Sequence, residues 1–150
     1  MEQSTRKQIN ISMPNLINIC VDEKVHGEIR GKLYHCYSKE PVKFDNVISL
    51  LTLAEELFDR IRYPQASTKT RCFGEEVPAA RQERPEKVVE QLEVIEHQGV
   101  LGSFVLCVKF RQNSTWQGEI IWMEKGIRRR FTNTLDFIKL LDGALATVEI

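Results

Sequence analysis

The sequence predicts an α+β fold: two β-β-β-α repeats related by pseudo-twofold symmetry, with antiparallel sheets and helices on one face. Three observations predict it. Residues recur at a spacing of 87, pairing Cys20 with Cys107, Phe44 with Phe131, Asn46 with Asn133 and Leu53 with Leu140. Secondary-structure signals recur in the same order in both halves, as a fixed-period repeat requires. Strand signals follow one another too closely for the crossover that parallel strands need. A second correspondence sets Gly27-Glu28-Ile29 beside Gly118-Glu119-Ile120 at a spacing of 91. A longer first loop in the second copy, balanced by a shorter hairpin, would absorb that shift of four.

In the first repeat, "LINICVD" reads as a strand and "GEIRGKLYHCYS" as its hairpin partner, with Gly27 and Gly31 as bulge or close-approach points. "EPVKF" gives a short edge strand entered through Pro41. Asp45 or Asn46 then caps a helix. Val47, Leu50, Leu51, Ala54, Leu57, Phe58 and Ile61 follow at helical spacing, and the helix stops before Pro64. In the second repeat, "SFVLCVKFRQ" and "WQGEIIWME" are strands, Lys125-Gly126 turns the chain, and "IRRRF" returns. Thr132 or Asn133 caps a helix along Leu135, Ile138, Leu141, Ala144 and Leu145.

The division that results is residues 1–63, a linker or long loop at 64–87, and residues 88–150, all within one compact domain. The linker holds three prolines, a glycine and many charges, without a period. "VVEQLEVIEH" (88–97) fits a helix through Val88, Leu92 and Ile95, and a strand through the alternation of Leu92 and Val94 with Glu. We read it as a strand because β structure follows.

Bulk properties exclude several functions. Formal net charge is zero, so no global field draws the chain to nucleic acid or an anionic membrane. No stretch approaches the ~18 apolar residues of a membrane span, and the amino-terminal segment has no apolar leader. The four cysteines, Cys20, Cys36, Cys72 and Cys107, form no Cys-x-x-Cys pair. They read as reduced, buried thiols of a cytoplasmic protein, with no metal and no cofactor.

Catalysis finds little support. His26, His35 and His97 are the only histidines. His35 and Cys36 are adjacent and point to opposite sides of a strand, so the two do not form a nucleophile pair. His35 with Cys72 or Cys107 stays open. No nucleophile elbow, phosphate loop, zinc-protease helix or dinucleotide fingerprint is present. The expectation is a protein that is not an enzyme.

The segment "TWQGEIIWMEKGIRRRF" (115–131) holds both tryptophans and an arginine run. On a strand, Trp116 and Trp122 share one face. Packing in the core is the ordinary role of such residues, and anchoring a partner is the alternative. Arg128 and Arg130 point one way and Arg129 the other. From residue 101 onward Lys and Arg number 7 against 5 acids, a bias of 7 − 5 = +2.

"YPQASTKTRCF" (63–73), "FRQNSTWQGEIIW" (110–122) and "FTNTLDFIKLLDGAL" (131–145) resemble a family of small proteins from gut-type Gram-positive bacteria. Its marks are a Pro-Gln…Arg-x-Phe segment, a Trp-Gln-Gly strand and a Phe-x-(Ser/Asn)-x-Leu helix start. The family has no established activity, and the resemblance supplies no catalytic residue. It implies an accessory, mobile-element role rather than core metabolism.

The expected function is therefore protein–protein binding through Trp116, Trp122, Arg128 and Arg130, with Arg71 and Phe73 of the linker beside them. Inhibition of a host defence system, in the manner of anti-CRISPR proteins, is one form this would take. The alternative is single-stranded nucleic-acid binding on the same Trp/Arg face. Edge-strand pairing offers a route to a homodimer.

Overall fold

Alternating apolar side chains build the sheet. In β1 (Ile17–Val25), Ile17, Ile19 and Val21 enter one core while Asn18 and Cys20 face the other way. β1 pairs antiparallel with β2 (Glu28–His35), and β2 with the short β3 (Val42–Phe44). The second half supplies β4 (Gly102–Gln112), β5 (Thr115–Trp122) and β6 (Ile127–Phe131), also antiparallel. β1 and β4 join the halves, giving one six-stranded antiparallel sheet in the order β3-β2-β1-β4-β5-β6. The computed structural model describes residues 13–64, 85–112 and 115–147.

The described residues form three helices: α1 (Val47–Ile61), α2 (Gln91–Glu96) and α3 (Thr134–Ala146). Asparagine caps both long ones. The Asn46 side chain accepts from Ser49 N at 2.8 Å while Ser49 Oγ accepts from Asn46 N at 3.2 Å, a capping box. Asn133 accepts from Asp136 N at 2.8 Å. α1 ends where Arg62 turns left-handed (φ 56°) and Tyr63 N bonds Phe58 O, just before Pro64.

Both long helices lie on one face of the sheet. Leu50, Ala54, Leu57, Phe58 and Ile61 of α1 and Phe137, Leu141 and Leu145 of α3 close the main core. That face agrees with the sequence reading, but a third helix covers the other face. Residues 88–97, expected as a strand, contain α2 instead. A strand would bury only one of the adjacent Val94 and Ile95. The single helical turn directs both inward, with Ile95 against Met13, Leu16, Val105, Cys107 and Ile121. Asn18 fixes it by donating from Nδ2 to Val94 O (2.8 Å) and His97 O (2.9 Å).

Two positions demand glycine. A Cβ on Gly31 would lie 1.9 Å from Cys20 O, and one on Gly118 would lie 2.0 Å from Cys107 O. Gly31 pairs with Val21 and Phe44, beside a bulge at Asp22; Gly118 pairs with Val108 and Phe131, beside a bulge at Lys109. Gly118 and Gly31 thus share a setting, inside a strand beside a bulge, whereas Gly27 turns the β1–β2 hairpin at φ 80°. Gly31 and Gly118 are 87 residues apart, the spacing of the other matched residues. Of the linker, residues 65–84 lie outside the described residues, with Arg71, Cys72 and Phe73 among them.

Candidate functional site

The expected Trp/Arg face divides in two, because Trp116 and Trp122 point to the helix-covered side of β5 and Arg128 and Arg130 to the other. Trp116 is 1 % exposed. Its ring meets Phe58 at 5.6 Å and Phe137 at 5.5 Å between centroids, and its indole Nε1 donates to Glu55 of α1. Arg111, across the strands from Trp116, also donates to Glu55 Oε2 (3.0 Å), to Asp59 Oδ1 (2.7 Å) and to Pro64 O (2.7 Å). Trp116 is therefore core, and the role of partner anchor expected for it is corrected. Its size and its one polar atom are both satisfied inside the protein.

Trp122 is half-buried at the far end of the same strand. It stacks on Phe104 at 5.7 Å, and Lys125 sits 5.9 Å above its ring. Its Nε1 is buried and finds no acceptor among the described residues. Stacking and burial make Trp122 a packing residue with one accessible edge.

Arg128 and Arg130 behave as the alternation predicts. They project from β6 towards Glu119 on β5, joined by Lys109 at the β4 bulge. Arg128 Nε lies 3.0 Å from Glu119 Oε2, Lys109 Nζ 3.5 Å and Arg130 Nε 3.8 Å from Oε1. The Glu119 side chain is only 8 % exposed, whereas that of Arg130 is 86 % exposed. One carboxylate thus holds three cations, leaving a local charge of 3 − 1 = +2 on the sheet face beyond α2. Phe110, 64 % exposed, pairs with Gln117 and shares this face with the cluster. Phe110 and Glu119 escaped the sequence reading, and Lys109 entered it only through the positive bias of the second repeat. The signal was the bulge, which the tight approach of Gly118 marks and which turns both Lys109 and Phe110 outward.

A second candidate lies on the helix side. A groove of about 940 Å³ runs between α1 and α3 above the β1–β2 hairpin. Ile29, Val47, Leu53, Ile138 and Leu145 give it apolar walls, and Asp142 stands in its lining. Ile48 borders it and is 69 % exposed.

Among the described residues, the histidine and cysteine candidates do not converge. His35 shares the α1 face of the sheet, and its Nδ1 accepts from Tyr37 N at 3.0 Å. Burial, with a smaller contribution from Arg60, pushes its pKa down to about 4, so the ring is neutral. Cys107 lies on the opposite face against Ile121 and Met13, its thiol pushed up to about 11 by burial. Sheet and core separate the two, which answers the pairing left open for them. Among the described residues, no group of three His, Cys, Asp or Glu side chains could hold a metal ion, and no helix is long and apolar enough to cross a membrane.

No family model, curated protein or solved structure matches this chain.

Proposed function

We propose that this is a non-enzymatic, cytoplasmic accessory protein that acts by holding an acidic protein partner on the outer face of β4, β5 and β6. The observation that carries the reading is the gathering of Lys109, Arg128 and Arg130 around buried Glu119. A charge run on an edge strand ordinarily serves to discourage edge-to-edge pairing. Here one buried carboxylate orients long side chains towards a common point, which lowers the entropy lost when they grip carboxylates of a partner. Phe110 beside them supplies apolar area. Covering a surface of the partner would be the mechanism, and interference with a defence complex is the accessory role that suits it. Free thiols at Cys20, Cys36 and Cys107 suit a reducing compartment.

The same reading takes the two halves as copies of one β-β-β-α unit about a pseudo-twofold axis. The matched glycines and bulges support it, as does a pair of reciprocal contacts. Arg111 of β4 reaches Glu55 of α1, and Lys24 of β1 reaches Asp142 of α3 at 4.0 Å. Positions 24 and 111, and 55 and 142, again lie 87 apart.

Exposed Phe110 favours single-stranded nucleic acid as the second reading, since every base has a face that stacks on an aromatic ring. Affinity capture from a lysate of the source cells separates the two readings. Wild type retains an acidic protein that the double variant Lys109→Glu/Arg130→Glu and raised salt both release. A partner captured equally well by the double variant contradicts the reading. A labelled oligonucleotide that gives no mobility shift at low salt eliminates the second one.

A further inference from the structure

The groove between α1 and α3 has a filled counterpart in the same molecule. Trp116 stands across from Arg111 in the β4–β5 pair, and Ile29 stands across from Lys24 in the β1–β2 pair. Phe58 packs on Trp116, and Leu145 lines the groove with Ile29. Positions 29 and 116, and 58 and 145, are 87 apart, like those of the reciprocal ion pairs. At one end of the helix-covered face, an indole therefore lies over Phe58 and donates its N–H to Glu55. At the other end the corresponding side chains are Ile29, Leu145 and Asp142, the two apolar ones well short of the Trp116 and Phe58 they match and Asp142 one methylene shorter than Glu55, and about 940 Å³ stands open beside them. Glu55 is engaged by Arg111 at 3.0 Å, whereas Asp142 is 69 % exposed and meets Lys24 only at 4.0 Å.

We infer that the groove is a binding site for a free small aromatic molecule carrying a ring N–H, of the indole class. The ring rests on Ile29 and Leu145, between Leu53 and Ile138, and the N–H donates to Asp142 as that of Trp116 does to Glu55. Three features define the chemistry. The walls are apolar, as for most small-molecule sites, and the volume lies within their usual range of ~300–1,000 Å³. Of the charged residues in the lining, Glu28, Lys43, Lys139 and Asp142, the carboxylate of Asp142 holds the matched position and selects a donor on the ring edge. The protein's own tryptophan shows that this arrangement accepts an indole. The template is the matched register of the two halves and is independent of what the cationic face binds.

Titration of the isotope-labelled protein with indole, followed by two-dimensional NMR, tests the inference. Indole is expected to shift the signals of Ile29, Leu53, Ile138 and Leu145, and 1-methylindole, which lacks the N–H, to bind about tenfold more weakly. Asp142 is at the surface, so Asp142→Ala leaves the fold intact and makes the two ligands equal. Ile29→Trp supplies the ring from within and abolishes binding. Lys109→Glu/Arg130→Glu binds indole as wild type does, which separates this site from the cationic face. N-acetyl-tryptophanamide identifies the source of the ring, and binding tighter than that of indole would overturn the assignment to a free ligand in favour of a peptide. No shifts in the groove, or equal affinities of wild type for indole and 1-methylindole, would overturn the inference.

Discussion

Gly118→Ala places a methyl group where no room exists. The new Cβ would lie 2.0 Å from Cys107 O, and real Cβ atoms do not approach closer than 3.0 Å, so β4 and β5 must part locally by about 1 Å (3.0 − 2.0). Such a separation weakens the two flanking ladder hydrogen bonds, each worth about 1 kcal/mol net. Overpacking strain adds roughly 1–3 kcal/mol. Restricting the unfolded chain returns about 0.4–1 kcal/mol. The net cost is about 3 kcal/mol, or roughly 6–12 °C in Tm for a domain of this size. Gly31→Ala, with its 1.9 Å contact to Cys20 O, is expected to cost a similar amount. Gly143 of α3 is the control: a Cβ there meets nothing within 4 Å, so Gly143→Ala stabilises the helix by roughly 0.5–1 kcal/mol. Urea denaturation followed by circular dichroism reads all three. A Gly118→Ala variant within 0.5 kcal/mol of wild type would refute the close-approach argument.

Other side chains give further expectations. Trp116→Ala should cost about 3–5 kcal/mol, as removal of a buried large aromatic does, and Trp116→Phe less, since the phenyl ring still packs on Phe58 and Phe137; equal costs by denaturation would contradict the packing described. His35 is neutral in the fold, with a pKa of about 4 against 6.5 when unfolded. Its contribution is therefore complete above pH 6.5 and lost as pH falls from 6.5 towards 4, amounting to about 2–3 kcal/mol at 1.36 kcal/mol per pH unit. His35→Asn, which keeps an acceptor for Tyr37 N, should lose that much less stability between pH 7 and 4; parallel pH curves for the two proteins would contradict this. Burial pushes the Cys20 and Cys107 thiols up to about 12 and about 11. Iodoacetamide at pH 8 should leave both unmodified by peptide mass mapping until urea unfolds the protein, and labelling in the native state would contradict their burial.

Much of the fold was legible because local signals agree with it. The period of two at the start of β1, the continuous apolar run of β4, the period of 3.6 in α1 and α3, and asparagine before each long helix all point the same way. α2 was not legible. A six-residue helix offers too short a window for periodicity, and its stability comes from Asn18 and the far face of the sheet, which a local reading does not contain. The two Gly-Glu-Ile triplets are identical in sequence but differ in setting, since Gly27 turns a hairpin and Gly118 lies inside a strand. Steric need, not identity, marks Gly31 and Gly118 as equivalents. For the candidate surface, alternation placed Arg128 and Arg130 together correctly. It put the two tryptophans on one face as well, but joined that face to the arginines; the β5–β6 register sets them on opposite sides, and Phe58, Phe137 and Glu55 close the side of Trp116. Lys109 and Phe110 joined the outer face through a bulge, and a bulge shifts parity in a way that a strict period of two cannot anticipate.

The tryptophans pack in the core, and the proposed grip on a partner belongs to Lys109, Arg128 and Arg130. Surface plasmon resonance against the captured partner tests that division directly, with Trp116→Phe and Lys109→Glu/Arg130→Glu compared at a temperature where both are folded. Trp116→Phe is expected to bind with wild-type affinity although it is less stable. The double charge reversal is expected to keep wild-type stability and lose at least about tenfold in affinity, with the remaining binding less sensitive to salt. Loss of binding in Trp116→Phe together with full binding in the charge-reversed protein would contradict the account.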